Sequence, residues 1–153
     1  MTARVFVDTN VFVYRHDLSD PAKQKLAEQW LQLLASTRAG RVSYQVLQEL
    51  FATLTRTRGP VFRHSEAREI VESLAVWRPI QTDLSLLQRA WGIQERYRIS
   101  WWDSLIVAAA QAGACQILLT EDLQNGQVFD RLRVVDPFAS PGRRPRDVLE
   151  AVS

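Results

Sequence analysis

Four acidic residues, far apart in the chain, carry the chemistry this sequence could perform. Asp8 closes the apolar run Val5-Phe6-Val7, and Glu49 lies on a later helical segment. Asp103 heads an almost wholly apolar helical segment, and Asp122 follows the apolar run Ile117-Leu118-Leu119 by two residues. Carboxylates brought together repel one another and stay partly protonated unless a cation sits among them. A donor set made only of oxygen suits Mg²⁺ or Mn²⁺ rather than a softer metal. Such an ion, held by carboxylates, is equipment for attack on phosphate esters.

Each acid also has a plainer reading. Asp8-Thr9-Asn10 after a strand makes an ordinary turn or helix cap. Ser100-Trp101-Trp102-Asp103 fits a capping box, with Ser100 as N-cap and an acid three residues on. Even so, a carboxylate leading a buried helix needs strong compensation, which a cap and a cation can supply together. On a helical wheel Glu49 falls opposite Leu47, Leu50, Phe51 and Leu54, beside Gln45 and Arg56. The wheel alone makes it a solvated residue or one that borders a cleft. Asp122 or its neighbour Glu121 could simply cap a following helix.

The elements that must position these residues alternate in type. Short apolar runs at 4–8, 41–43, 79–80, 116–119 and 133–135 read as strands, separated by helical segments. Asp20 and Pro21 start a helix that runs to about Thr37 and ends at Gly40. Ser43 caps the helix that carries Glu49, which the turn Arg58-Gly59-Pro60 stops. Ser65 begins another helix, and Asp83 to Tyr97 forms one with Leu84, Leu87 and Trp91 on its apolar side. Ser100 to Gly113 bounds the apolar helix. The expected class is α/β, with a mostly parallel sheet covered on both faces. In open sheets of this kind the working groups lie beyond the carboxyl ends of the strands, where Asp8 and Asp122 fall.

The chain has 153 residues, enough for one domain with a sizeable core. We expect a domain over residues 1–138 and a Pro/Gly/Arg-rich tail over 139–153, extended or mobile. No apolar stretch is long enough for a membrane span, and no signal-peptide pattern opens the chain. With Cys115 the only cysteine, no intrachain disulfide can form, and a reducing cytoplasm is the expected compartment. The net charge is only +2, but all basic residues except Lys23 and Lys25 are arginines. Arginine grips phosphates bidentately, although codon bias explains the same excess.

Other chemistries lack their residues. His16-Asp17 suggests a metal phosphohydrolase, but His16 and His64 are the only histidines. No lysine follows the last strand, as a phosphorylated receiver would need, and no P-loop or dinucleotide fingerprint occurs. Cys115 fits a small buried hydrophobe better than a nucleophile. Trp101 and Trp102 have the chemistry to stack on a base, but core packing claims at least one of them.

The segments Val7-Asp8-Thr9-Asn10, Val46-Leu47-Gln48-Glu49-Leu50, Trp102-Asp103-Ser104-Leu105-Ile106 and Leu119-Thr120-Glu121-Asp122-Leu123 resemble, in order and spacing, the four acidic motifs of PIN-domain nucleases. Length, order and spacing resemble bacterial VapC-type toxins in particular, over about Arg4 to Pro137. The resemblance implies a three-layer α/β/α fold and a Mg²⁺- or Mn²⁺-dependent endoribonuclease. It also implies a homodimer neutralised by a small antitoxin protein. It assigns Asp8 and Asp103 as main metal ligands, Glu49 as the second acid and Asp122 as the fourth. Asn10 and Thr120 become supporting residues, and Glu121 an acid that could share the role of Asp122. Arg15, Arg56 and Arg58 are candidates for contacting flanking RNA phosphates. Two rivals stay open: a catalytically silent RNA-binding or scaffold module of the same fold, and a metal-dependent phosphatase.

Overall fold

A computed structural model describes residues 3–56 and 62–152. Among these residues there are five strands and seven α-helices. In chain order they are β1 (Val5–Val7), α1 (Thr9–Arg15), α2 (Pro21–Thr37), β2 (Gly40–Arg41), α3 (Tyr44–Thr55) and α4 (His64–Ser73), followed by a 3₁₀ turn (Leu74–Trp77). Then come α5 (Leu84–Tyr97), α6 (Trp101–Ala112), β3 (Ile117–Leu119), β4 (Val128–Phe129), β5 (Leu132–Val135) and α7 (Pro145–Val152).

The strands form one sheet in the order β2-β1-β3-β5-β4, parallel except for the edge strand β4. β1 and β3 are buried at every residue, as strands covered on both faces must be. From β1 the chain crosses to β2 on one side, then returns past β1 to β3 on the other. Right-handed crossovers in opposite directions put their helices on opposite faces. α2 accordingly lies on β2, and α6 on β3 and β5 with α5 packed against it. The order reverses between β1 and β3, so the crevice of this sheet opens at their carboxyl ends.

Local chemistry sets most boundaries. Asp20 accepts from the Lys23 N–H with Pro21 in the first turn, and Ser43, Asp83 and Ser100 cap α3, α5 and α6 through their side chains. The end of α2 differs from the expectation. Arg38, in the left-handed conformation, terminates the helix, and Gly40 opens β2. Gly40 is there because the Trp77 ring lies where a Cβ would stand. The expected strand at Pro79-Ile80 is a single parallel bridge between Ser43 and Ile80. The turn at Arg58-Gly59-Pro60 lies outside the described residues.

Three expectations need correction. The core side of α5 is Leu86, Ala90 and Ile93, with Leu87 partly buried beside them, while Leu84 and Trp91 are exposed; α5 packs on α6 through that side. The chain turns directly from β1 into α1, a helix not among the expected elements; Asp8 is its cap, as the plainer reading of Asp8-Thr9-Asn10 expects. The C-terminal tail is also not wholly extended. Pro145 is buried at the start of α7, and Val148, Leu149 and Val152 pack on the core at helical spacing. Arg144 pairs with Asp147 in its first turn. Four apolar residues behind a Pro/Gly/Arg leader are too weak a pattern to show in composition.

Candidate active site

Asp8 stands where β1 ends. Its N–H still continues the sheet, donating to the Leu119 carbonyl of β3 at 3.0 Å, while its side chain turns to cap α1. One carboxylate oxygen accepts from the Thr9 N–H at 2.7 Å, the other from the Thr120 hydroxyl at 2.8 Å. Only 5 % of the residue is exposed. Burial pushes its pKa from 3.8 up to about 7, against the Thr120 and Thr9 hydrogen bonds; the charges of Asp122 and Glu49 push the same way. A buried carboxylate facing two others is either protonated or compensated by a cation.

The loop after β3 brings the next two groups. Thr120 is fully buried, and its hydroxyl oxygen also accepts from the Asp122 N–H at 3.1 Å, which fixes the loop beyond the strand. Asn10, in the first turn of α1, bridges the two strand ends. Its amide group donates to Thr120 at 3.2 Å, to Asp122 at 3.2 Å and more weakly to Asp8 at 3.4 Å. The Asp122 pKa is raised by burial and by Asp103, Glu121 and Glu49, while Asn10 pulls it down.

Glu49 reaches the same place from α3. Thr9 donates its hydroxyl to one carboxylate oxygen at 2.8 Å, and Gln45, one turn earlier on α3, donates to the other at 2.9 Å. The polar stripe of α3 therefore borders the cleft. Asp103 completes the group from α6. Its N–H is capped by Ser100 at 3.1 Å, and its carboxylate acts on Asp122 through charge.

Glu121 does not join them. Its carboxylate turns to Lys23 at 2.9 Å, and the same ammonium donates to the Tyr14 hydroxyl at 3.2 Å. The candidate arginines are equally uneven. Arg15 is paired with Glu28 on α2 at 2.8 Å, Arg56 is exposed and bonded to Thr53, and Arg58 lies outside the described residues. Thr9 and Gln45 were missed by sequence reasoning. The signal for each was its spacing, one residue after Asp8 and four before Glu49. Cys115 is buried and its thiol is pushed up to about 12, as a small hydrophobe rather than a nucleophile requires.

The donors fit a hard divalent cation. They are all oxygens, burial keeps Asp8 from ionising freely, and Asn10 Oδ1 is buried with no hydrogen-bond donor among the described residues. Among those residues no three Asp, Glu, His or Cys side chains converge tightly enough to cage an ion alone. Mg²⁺ does not ask for that, since it is commonly held by one or two carboxylates with water at its other positions.

Residues 5–133 match the PIN domain family. The chain belongs to this family. Solved structures of the same fold include a toxin–antitoxin complex from Klebsiella pneumoniae, with a TM-score of 0.61 at 18% identity, covering 87% of this chain and 97% of that one. DNA-bound VapBC from Salmonella typhimurium gives 0.61 at 16% identity, over 90% and 99%. A sarcin-ricin-loop-cleaving VapC toxin from Mycobacterium tuberculosis gives 0.56 at 22% identity, over 74% and 86%. At these identities the likeness is one of fold. No curated protein matches the chain by sequence. Among the described residues of this PIN domain, no helix is long and apolar enough to cross a membrane.

Proposed function

We propose that this PIN domain is a metal-dependent endoribonuclease and the toxin of a toxin–antitoxin pair. The observation that carries the reading is the setting of Asp8. It is a buried carboxyl raised to about 7, at the switch point of the sheet, with Asp122 and Glu49 acting on it. In this reading Asp8 and Asp103 hold Mg²⁺ or Mn²⁺, and Glu49 and Asp122 hold a second ion or orient water. The ion would neutralise developing charge on a phosphate and lower the pKa of a water molecule. The chain's own residues do the positioning. Thr120 and the Thr9 N–H fix the two oxygens of Asp8, Thr9 and Gln45 fix Glu49, and Asn10 ties the β3 loop to α1. Arg56, with Arg15 and Arg58, is proposed to meet flanking phosphates. The PIN family, and relatives described as toxin–antitoxin complexes and as a toxin that cleaves the sarcin-ricin loop, support RNA as substrate. The toxin–antitoxin relatives also support a small antitoxin as partner; a homodimer in the cytoplasm is the working form we propose.

The test is cleavage of a labelled single-stranded RNA alongside titration calorimetry. We expect cleavage with Mn²⁺ or Mg²⁺, loss with a chelator, and Mn²⁺ binding that weakens in Asp103→Asn. Hydrolysis of a generic phosphate ester but not of RNA, or no Mn²⁺ binding up to millimolar concentration, would reject the reading.

A further inference from the structure

The two adjacent tryptophans that open α6 have different surroundings. Trp101 is partly buried against the core and stacks on Trp91 of α5, with ring centroids 6.4 Å apart and planes at 22°. Trp102 has no ring partner among the described residues and is 64% exposed. It lines an open groove of about 470 Å³ with Gln45, Gln48, Glu49 and Ala52. The last four are spaced i, i+3, i+4 and i+7 on α3, so they form one face of that helix. Glu49 belongs to both regions, which makes the groove continuous with the acid cluster. No basic residue lines it. Its chemistry is an exposed indole face, two neutral amides, one methyl group and the Glu49 carboxylate at the end shared with the acid cluster.

We propose that this groove is a nucleobase subsite, in which one unpaired base beside the scissile phosphate stacks on Trp102. The inference rests on the ribonuclease reading above. A phosphate would find no cation in the groove, whereas a base is flat, uncharged and has edges that amides can bond. Gln45 already spends one amide hydrogen on Glu49, so an amide that touches the base also touches an acid of the site. Gln48 is exposed on the same face and free to follow either base edge. Stacking of this kind tolerates every base, so the subsite would fix the position of the strand more than its sequence.

The test uses the full chain in the Asp8→Asn background, so that RNA is bound without being cut. A fluorescent single-stranded oligoribonucleotide is titrated, and an abasic residue is then walked along it. Trp102→Ala should weaken binding by about tenfold, and Trp102→Phe should keep most of it. One abasic position should cost the same factor with Trp102 present and nothing more in Trp102→Ala. With Asp8 restored, Trp102→Ala should raise KM and leave kcat nearly unchanged. Equal binding by Trp102 and Trp102→Ala, or abasic losses that simply multiply at every position, would overturn the subsite. So would a changed oligomeric state of Trp102→Ala with an unchanged abasic profile, since the face would then meet another protein chain. If the wild type neither binds nor cleaves RNA, the ribonuclease reading fails with it. Cleavage indifferent to Trp102 fails the subsite alone. Because the side chain is exposed, thermal melts of Trp102→Ala should match those of Trp102.

Discussion

Glu121 and Asp122 are consecutive acids in one loop, and their environments are opposite. Glu121 turns to Lys23, whose ammonium also meets Tyr14 and lies over the rings of Tyr14 and Phe138, 4.5 Å and 5.1 Å from their centres. The interaction with Glu121 raises the Lys23 pKa. Asp122 instead has its pKa raised by burial and by the charges of Asp103, Glu121 and Glu49, with the Asn10 amide pulling the other way. One acid is neutralised by its own chain and ties the β3 loop to α2. The other is left among like charges, an arrangement that costs stability and makes sense where a cation is to be held.

The largest break in that contrast should come from Asp8→Asn. Cleavage should fall by at least about 100-fold, or roughly 2.7 kcal/mol of transition-state stabilisation. With a chelator present, stability should move the other way. The Asp8 pKa is about 7 in the folded chain against an ordinary 3.8 for an aspartate. The folded state therefore holds a proton that the unfolded state has released, and wild-type stability falls as pH rises from about 4 through about 7. An amide has no such proton to lose. Asp8→Asn should melt roughly 5 °C above wild type at pH 8, and the gap should close toward pH 4. Melting curves at three pH values decide; a gap that is constant with pH would mean that Asp8 is already ionised and paired.

Glu49→Gln comes next. Its carboxylate accepts from Thr9 and Gln45, and among the described residues it pairs with no cation, so it belongs with Asp122 rather than Glu121. Cleavage should drop about tenfold, or roughly 1.4 kcal/mol, with little change in Tm. A near-neutral rate would return Glu49 to the solvated face that the helical wheel assigns.

Lys23→Met sharpens the comparison from the structural side. It strands a partly buried Glu121, and a loss of about 1 kcal/mol is expected, or roughly 2–4 °C in Tm. Adding Glu121→Gln should return part of it. Glu121→Gln by itself should leave cleavage within a few-fold of wild type, while Asp122→Asn should not. Equal losses of activity in the two would put both acids at the site.

How much of this was legible depends on the range of the interaction. Asp20-Pro21, Ser43, Asp83 and Ser100 announce their helices because a cap acts within one turn. Asp8 and Asp122 are legible because strand order places the ends of β1 and β3 side by side. The core face of α5 was misread, since Leu84 and Trp91 satisfy a helical period as well as Leu86, Ala90 and Ile93 do, and only the partner helix chooses. The parting of Glu121 from Asp122 was not legible at all. It depends on Lys23, 98 residues earlier in the chain.

The smallest effect concerns charge that does neither job. Arg98 ends α5 in the left-handed conformation, with φ 54°, and makes no hydrogen bond or ion pair through its guanidinium among the described residues. Left-handed backbone costs a residue with a Cβ about 1 kcal/mol, which is why glycine is the common choice at helix ends. Glycine in turn loses more freedom on folding, which takes back part of the gain. Arg98→Gly should therefore raise stability by about 0.5 kcal/mol, or roughly 1–2 °C in Tm. RNA cleavage and its salt dependence should not move. A stability loss would show that the guanidinium has a structural partner. A shallower salt slope, by about 0.7 for one phosphate contact, would bring Arg98 into the RNA-binding surface and widen it well beyond the acid cluster.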